Sequence, residues 1–178
     1  MKTVKLWDKE FRLSYPASEI SSDIKKLADL LNKDLAKEEN PLFLSVLNGS
    51  FIFTADLIRL ITVPCEISFV KLSSYEGTST TGTVNQLIGL TENIENRTVI
   101  ILEDIVDTGI TLGKLIETLK QKKPKSIKVA TLLFKPQSYK GEIKIDYVGK
   151  SIPNDFIVGY GLDYDGIGRN LADIYTLV

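Results

Sequence analysis

The sequence predicts an α/β fold, a Rossmann-like parallel sheet flanked by helices, and three observations carry that prediction. Apolar runs of strand length alternate with segments whose apolar residues recur every three or four positions. The apolar run 99–102 is followed at once by Glu103-Asp104-Ile105-Val106-Asp107-Thr108-Gly109-Ile110-Thr111, after which Leu112, Leu115, Ile116 and Leu119 fall at helical intervals. That succession reads as a buried strand, a polar loop beginning at Glu103, and a helix. The same plan recurs earlier, with the apolar run 42–47, the small polar loop Asn48-Gly49-Ser50, and a helical stretch over 51–60.

Composition sets the limits. The chain has 178 residues, 43% hydrophobic and 25% charged, enough for one domain with a full core. A net charge of −1 supplies no global basic field to hold nucleic acid. One cysteine, Cys65, excludes an internal disulfide, and its apolar surroundings suit a small core residue. Histidine is absent, which excludes Ser-His-Asp and Cys-His mechanisms and most zinc sites, so acid–base work falls to carboxylates, Lys or Tyr. No apolar leader follows Met1-Lys2 and no stretch is long enough to span a bilayer, so a cytoplasmic location is expected.

The elements follow in order. Residues 1–16 are mixed and read as an edge strand. From Ser18, a candidate N-cap, Ile20, Ile24, Leu27, Leu31 and Leu35 recur at helical steps, with Glu19 in the first turn and Pro41 beyond the end. Strands are expected at 42–47 and 65–72, around the helix over 51–60. Nine of the eleven residues in 73–83 are Ser, Thr or Gly, so this stretch builds no core and reads as a surface loop. Long loops in compact domains are often active-site lids. Residues 84–90 alternate weakly and pair with a neighbouring strand; 93–97 form a polar turn. The helix after Gly109 ends in the lysine-rich turn 120–123 and stops at Pro124. Further strands are expected at 126–134, 146–152 and 156–160. The glycines after 158 lack the spacing of a dinucleotide fingerprint, and no Walker A string exists.

The loop after residue 102 suggests a ligand. In a parallel sheet, ligands bind beyond the carboxyl ends of the strands. The start of the following helix favours an anion, and Asp107, Thr108, Gly109 and Thr111 surround it. Glu103 and Asp104 repel a phosphate but suit sugar hydroxyls or a divalent cation. A phosphate beside a diol is a ribose 5-phosphate.

The string from Glu103 to Thr111 resembles the phosphoribosyl pyrophosphate (PRPP) motif of the type I phosphoribosyltransferases. With Lys135, the run Asp155-Phe156-Ile157-Val158-Gly159-Tyr160-Gly161-Leu162-Asp163-Tyr164 and Arg169, the likeness extends to the hypoxanthine-guanine branch and covers most of the chain. It implies a single type I domain over 1–178, with a small hood built from the chain ends and a mobile lid over 73–83 carrying Ser74 and Tyr75. It implies purine salvage: transfer of 5-phosphoribosyl from PRPP to N9 of hypoxanthine or guanine, giving IMP or GMP and pyrophosphate. Asp107 would be general acid or base at N7. Glu103 and Asp104 would take the ribose hydroxyls, and Asp107, Thr108, Gly109 and Thr111 the 5-phosphate. Asn48, Gly49 and Arg169 would meet the pyrophosphate. Phe156 would stack on the base and Ile105 flank it. Lys135 would donate to O6, and backbone near Ile157 and Asp163 would read the other edge. Mg²⁺ would be held by Glu103, Asp104 and Asp163. The family is usually a homodimer or homotetramer. Asn48 departs from the pattern, because members commonly carry Lys or Arg there.

Two other readings compete. Some proteins of this fold bind RNA or DNA and use PRPP as a signal; the net charge, the lack of an added DNA-binding domain and the base-reading Lys135 oppose that here. A transferase for another base is the second. Lys135 and Phe156 disfavour uracil and adenine, and xanthine stays open because it shares the 6-oxo group.

Overall fold

The structure is a computed structural model that describes residues 2–73 and 86–178. Ser74 and Tyr75, and with them nearly all of the expected lid, lie outside the described residues.

The chain opens with a hairpin, β1 (Thr3–Leu6) and β2 (Lys9–Tyr15), where the sequence suggested one edge strand. Helix α1 (Ala17–Asp34) follows and buries Ile20, Ile24, Leu27, Ala28 and Leu31, the stripe its spacing predicts. Its N-cap is Pro16, not Ser18, and no local side chain caps it. The first N–H is satisfied from a distance, by Asp173 Oδ1 at 2.9 Å from Ala17 N. Next come β3 (Leu42–Leu47), α2 (Phe51–Ile58), β4 (Glu66–Ser73), β5 (Gln86–Ile88), β6 (Thr98–Val106), α3 (Ile110–Lys120), β7 (Ser126–Phe134), β8 (Tyr147–Ser151), β9 (Ile157–Val158) and β10 (Ile174–Leu177).

The main sheet runs β5-β4-β3-β6-β7-β8, with β4, β3, β6, β7 and β8 parallel and β5 antiparallel at one edge. Alternate residues of the central strands go to opposite faces. Phe43, Ile100, Leu102, Ala130 and Leu132 pack with α1 and α2. Leu42, Leu44, Val99, Ile101 and Val129 pack with Leu112, Leu115, Ile116 and Leu119 of α3. The sheet is therefore covered on both sides, as its continuous apolar strands require.

Strand β6 is longer than its apolar run. Its pairing with β7 continues through Glu103↔Thr131, Ile105↔Leu133 and Val106↔Phe134, so Glu103 and Asp104 are strand residues and not the start of a loop. The run at 156–160 is shorter than expected, because only Ile157 and Val158 find a partner, in β10. The hood implied by the family likeness is present as a second, antiparallel sheet of order β1-β2-β10-β9, built from both chain ends. The sequence pattern did not mark β10, which is short and pairs with segments far away in the chain.

Candidate active site

The strand order reverses between β3 and β6. From β3 the chain leaves through α2 on one face, and from β6 through α3 on the other. A crevice opens at such a point beyond the carboxyl ends of the strands. Loop 48–50 forms one wall. Ser50 turns inward: its hydroxyl donates to the Val46 carbonyl and lies 2.7 Å from Ser45 Oγ, which lies 2.8 Å from Thr54 Oγ1. All three hydroxyls are buried, while Asn48 stands exposed. Gly49 is needed for close approach, because a Cβ there would sit 1.6 Å from Asp104 Oδ2.

The tail after β9 closes on the same point. Gly161 has φ +99, and a Cβ on it would lie 2.0 Å from the Gly49 carbonyl oxygen. Arg169 donates to the Gly161 carbonyl at 2.7 Å and pairs with Asp163 Oδ1 at 2.6 Å. The other oxygen of Asp163 accepts from Gly166 N at 2.8 Å. Gly49, Asp104, Asp163 and Arg169, scattered in sequence, thus share one corner, and the two charged tail residues neutralise each other there.

Glu103 and Asp104 are adjacent strand residues and part company. Glu103 lines a cavity of about 120 Å³ with Asp107, Thr108, Gly109 and Thr111, whereas Asp104 packs on Gly49. Burial pushes the Glu103 carboxyl well above the usual range, and the charge of Asp104 adds to it. Burial pushes Asp104 up to about 6, against the Ile105 N–H, which it accepts at 2.9 Å, and the positive charge of Arg169. Two buried oxygen acids of this kind call for hydroxyl donors or a hard cation. Among the described residues no group of three or more His, Cys, Asp or Glu converges on a metal position. A cation at Asp104 would therefore draw most of its ligands from substrate and water, the usual habit of Mg²⁺.

Gly109 is the N-cap of α3, with φ 79, and the first N–H groups of the helix lack intrahelical acceptors. Thr108 Oγ1 accepts only a long contact from Ile110 N, at 3.4 Å. These N–H groups and the Thr108 and Thr111 side chains border the cavity, an arrangement that can accept an anion. Lys135, at the carboxyl end of β7, is only 7% exposed. Its ammonium lies 3.0 Å from Asp107 Oδ2, so the expected base reader and the expected proton carrier are paired.

Phe156 is 47% exposed and belongs to the hood, where its ring centroid lies 6.2 Å from Phe11 and 5.9 Å from Tyr164. One side of the ring is supported and the rest is free to stack. Ile157 is buried in the main core, with Ile105 packed at the margin of the same cluster. Sequence reasoning missed the supporting ring Phe11. It also missed Tyr139, whose ring covers Gly109, and no local spacing marks either one. Among the described residues, no helix is long and apolar enough to cross a membrane.

Known proteins resemble this chain in sequence and fold. The family model described as "Phosphoribosyl transferase domain" matches residues 15–165. A hypoxanthine-guanine phosphoribosyltransferase of Streptococcus pyogenes serotype M3 is 46% identical over 167 residues, covering 93% of this chain and 92% of that protein. One from Mycobacterium bovis is 42% identical over 167 residues, covering 93% of this chain and 80% of that protein. The crystal structure of a hypoxanthine-guanine phosphoribosyltransferase from Bacillus anthracis superposes with TM-score 0.83 at 36% identity, over 94% of this chain and 97% of that one. A Trypanosoma cruzi hypoxanthine phosphoribosyl transferase superposes with TM-score 0.85 at 35% identity, over 98% and 95%. With the domain matched over most of its length and relatives of 42–46% identity covering 93% of it, the chain belongs to the phosphoribosyltransferase family.

Proposed function

We propose that this phosphoribosyltransferase salvages 6-oxopurines, transferring 5-phosphoribosyl from PRPP to N9 of hypoxanthine or guanine and releasing pyrophosphate. The curated relatives bear that activity in their names. One observation of this chain carries it: Lys135 Nζ and Asp107 Oδ2 stand 3.0 Å apart at the carboxyl ends of neighbouring strands, a donor beside an acceptor. The N7–H tautomer of a 6-oxopurine presents the complementary edge, with O6 accepting beside N7–H donating. Adenine would turn its amino group toward the lysine, donor against donor, and leave a buried ammonium unmatched.

In the reaction, N9 attacks C1 of the ribose from the face opposite the pyrophosphate. As that bond forms, the C1–O bond to pyrophosphate breaks and Asp107 takes the proton from N7. Lys135 leaves Asp107 for O6 and holds the base in line. Phe156 supports the base face, and Ile105 flanks it. Backbone at Ile157 and Asp163 reads its far edge. The α3 start, with Thr108, Gly109 and Thr111, anchors the 5-phosphate, and Glu103 and Asp104 accept from the ribose hydroxyls. Arg169 and loop Asn48-Gly49 meet the pyrophosphate. Asp104 and Asp163, with Glu103 nearby, would supply oxygen ligands for Mg²⁺, whose charge would offset that of the leaving pyrophosphate. The rest of the catalysis is positioning and electrostatic stabilisation.

Pyrophosphate release, measured base by base with PRPP and magnesium, tests the reading. Hypoxanthine and guanine should turn over and adenine should not; the same assay decides xanthine. No turnover with any purine would overturn it. The family likeness also implies a homodimer or homotetramer, which light scattering checks.

A further inference from the structure

Residues 135–143 leave β7 at the base-reading lysine and end beside the phosphate cradle, and nothing in the reaction scheme uses the stretch between. The Lys135 carbonyl accepts from the N–H groups of Ser138 and Tyr139, both at 3.1 Å, which folds the stretch back on itself. Lys140 N then donates to the Thr108 carbonyl at 3.2 Å. Between these bonds the Tyr139 ring lies on the Gly109 Cα: a Cβ built on Gly109 would fall 2.3 Å from Tyr139 Cε2 and 3.0 Å from Cδ2. The ring is held on two other sides. Its edge meets Phe134, centroids 5.3 Å apart at 69°, and its hydroxyl donates to the Ile143 carbonyl at 2.6 Å.

Gly109 has φ 79, and a glycine populates that well and its mirror about equally. Nothing in its own chemistry fixes the peptide that aims the α3 N–H groups. We infer that Tyr139 is a positioning residue for the 5-phosphate: its ring pins the Gly109 backbone, and the Lys140–Thr108 bond pins the residue before it. This rests on the reading that the Thr108–Thr111 cradle holds that phosphate. The ring touches neither the base edge nor the pyrophosphate corner, so its loss should weaken only ligands that carry the 5-phosphate.

The test is a KM-against-kcat split in both directions of the reaction. Tyr139→Ala should raise KM for PRPP, and for IMP in pyrophosphorolysis, on the order of tenfold. KM for hypoxanthine and for pyrophosphate, and kcat, should stay within about twofold of the parent. Tyr139→Phe keeps the ring and should restore both raised KM values. If Tyr139→Ala fails to fold, Tyr139→Leu carries the same expectation, because it keeps apolar bulk without a flat ring. An unchanged KM for PRPP in Ala or Leu, an equal rise for all four ligands, or a Phe variant as impaired as Ala would each overturn the inference. Thr111→Val, measured beside them, separates the underlying reading. If it raises KM for PRPP while Tyr139→Ala does not, only the role of Tyr139 fails. If neither does, the cradle assignment fails with it.

Discussion

A lysine and an aspartate 3.0 Å apart usually need no explanation beyond mutual neutralisation. Here the lysine is buried and the aspartate is 43% exposed by side chain, at the crevice mouth, so the pair can open toward a ligand that replaces each partner. Lys135→Ala should therefore raise KM for hypoxanthine on the order of tenfold to a hundredfold and narrow the gap to adenine. Steady-state kinetics on both bases would show it, and an unchanged hypoxanthine KM would remove Lys135 from base recognition. Asp107→Asn keeps the size and the polar contact but cannot take a proton. Its kcat should fall by about 10²–10⁴ while PRPP affinity, measured by calorimetry, holds. Both residues were legible in the sequence, Asp107 within a specific string and Lys135 at a strand end. Their pairing was not, because it joins positions 28 residues apart through the register of two strands. Likewise the adjacent Glu103 and Asp104 read as one acidic pair. The pleat of β6 turns them to different surroundings, Glu103 to the cavity and Asp104 to Gly49, which no spacing rule reveals until the strand is known to extend to Val106.

At the level of elements, loops 48–50 and 159–169 act as one, since Gly161 rests on Gly49 and Gly49 rests on Asp104. Gly161→Ala should break that stack twice over, through a Cβ at 2.0 Å from the Gly49 carbonyl and through φ +99. The expected result is a loss of kcat/KM for PRPP of roughly a hundredfold, with a folded protein by circular dichroism. Retained activity would mean that the tail loop does not shape the pyrophosphate corner. The core elements were the legible ones. Strands β3 and β7 begin and end where their apolar runs do, because a strand buried on both faces needs every residue apolar or paired. The hood was harder to see. Its strands are short, half exposed and paired across the whole chain, so local pattern gave one edge strand near the start and nothing at β10. The start of α1 was misplaced for the same reason, since its first N–H finds its acceptor on the distant Asp173 and not on a neighbouring side chain.

For the molecule as a whole, the crevice has a cost in stability that the ligand should repay. Acids on the surface, such as Glu38 and Asp173, lie below their ordinary pKa because of hydrogen bonds and lysine partners, so they favour folding as pH rises through the acid range. Asp104 works in the opposite sense. Its carboxyl is raised from 3.8 to about 6 by burial, so between those values the folded chain holds a proton that the unfolded chain has released. The stability this confers is complete below about pH 4 and is lost as pH rises through about 6, where folding must bury a charge. Asp104→Asn removes the titration and keeps an oxygen for the Ile105 N–H. The surface acids are common to parent and variant and cancel in a comparison. The difference in Tm, variant minus parent and without ligand, should thus grow from about pH 4 to about pH 7, reaching several degrees for a burden on the order of 2 kcal/mol. Magnesium with PRPP should then raise the Tm of the parent much more than that of the variant, because only the parent has the charge to offer. A difference that stays flat with pH would show that Asp104 is not a buried charge held in reserve for the substrate.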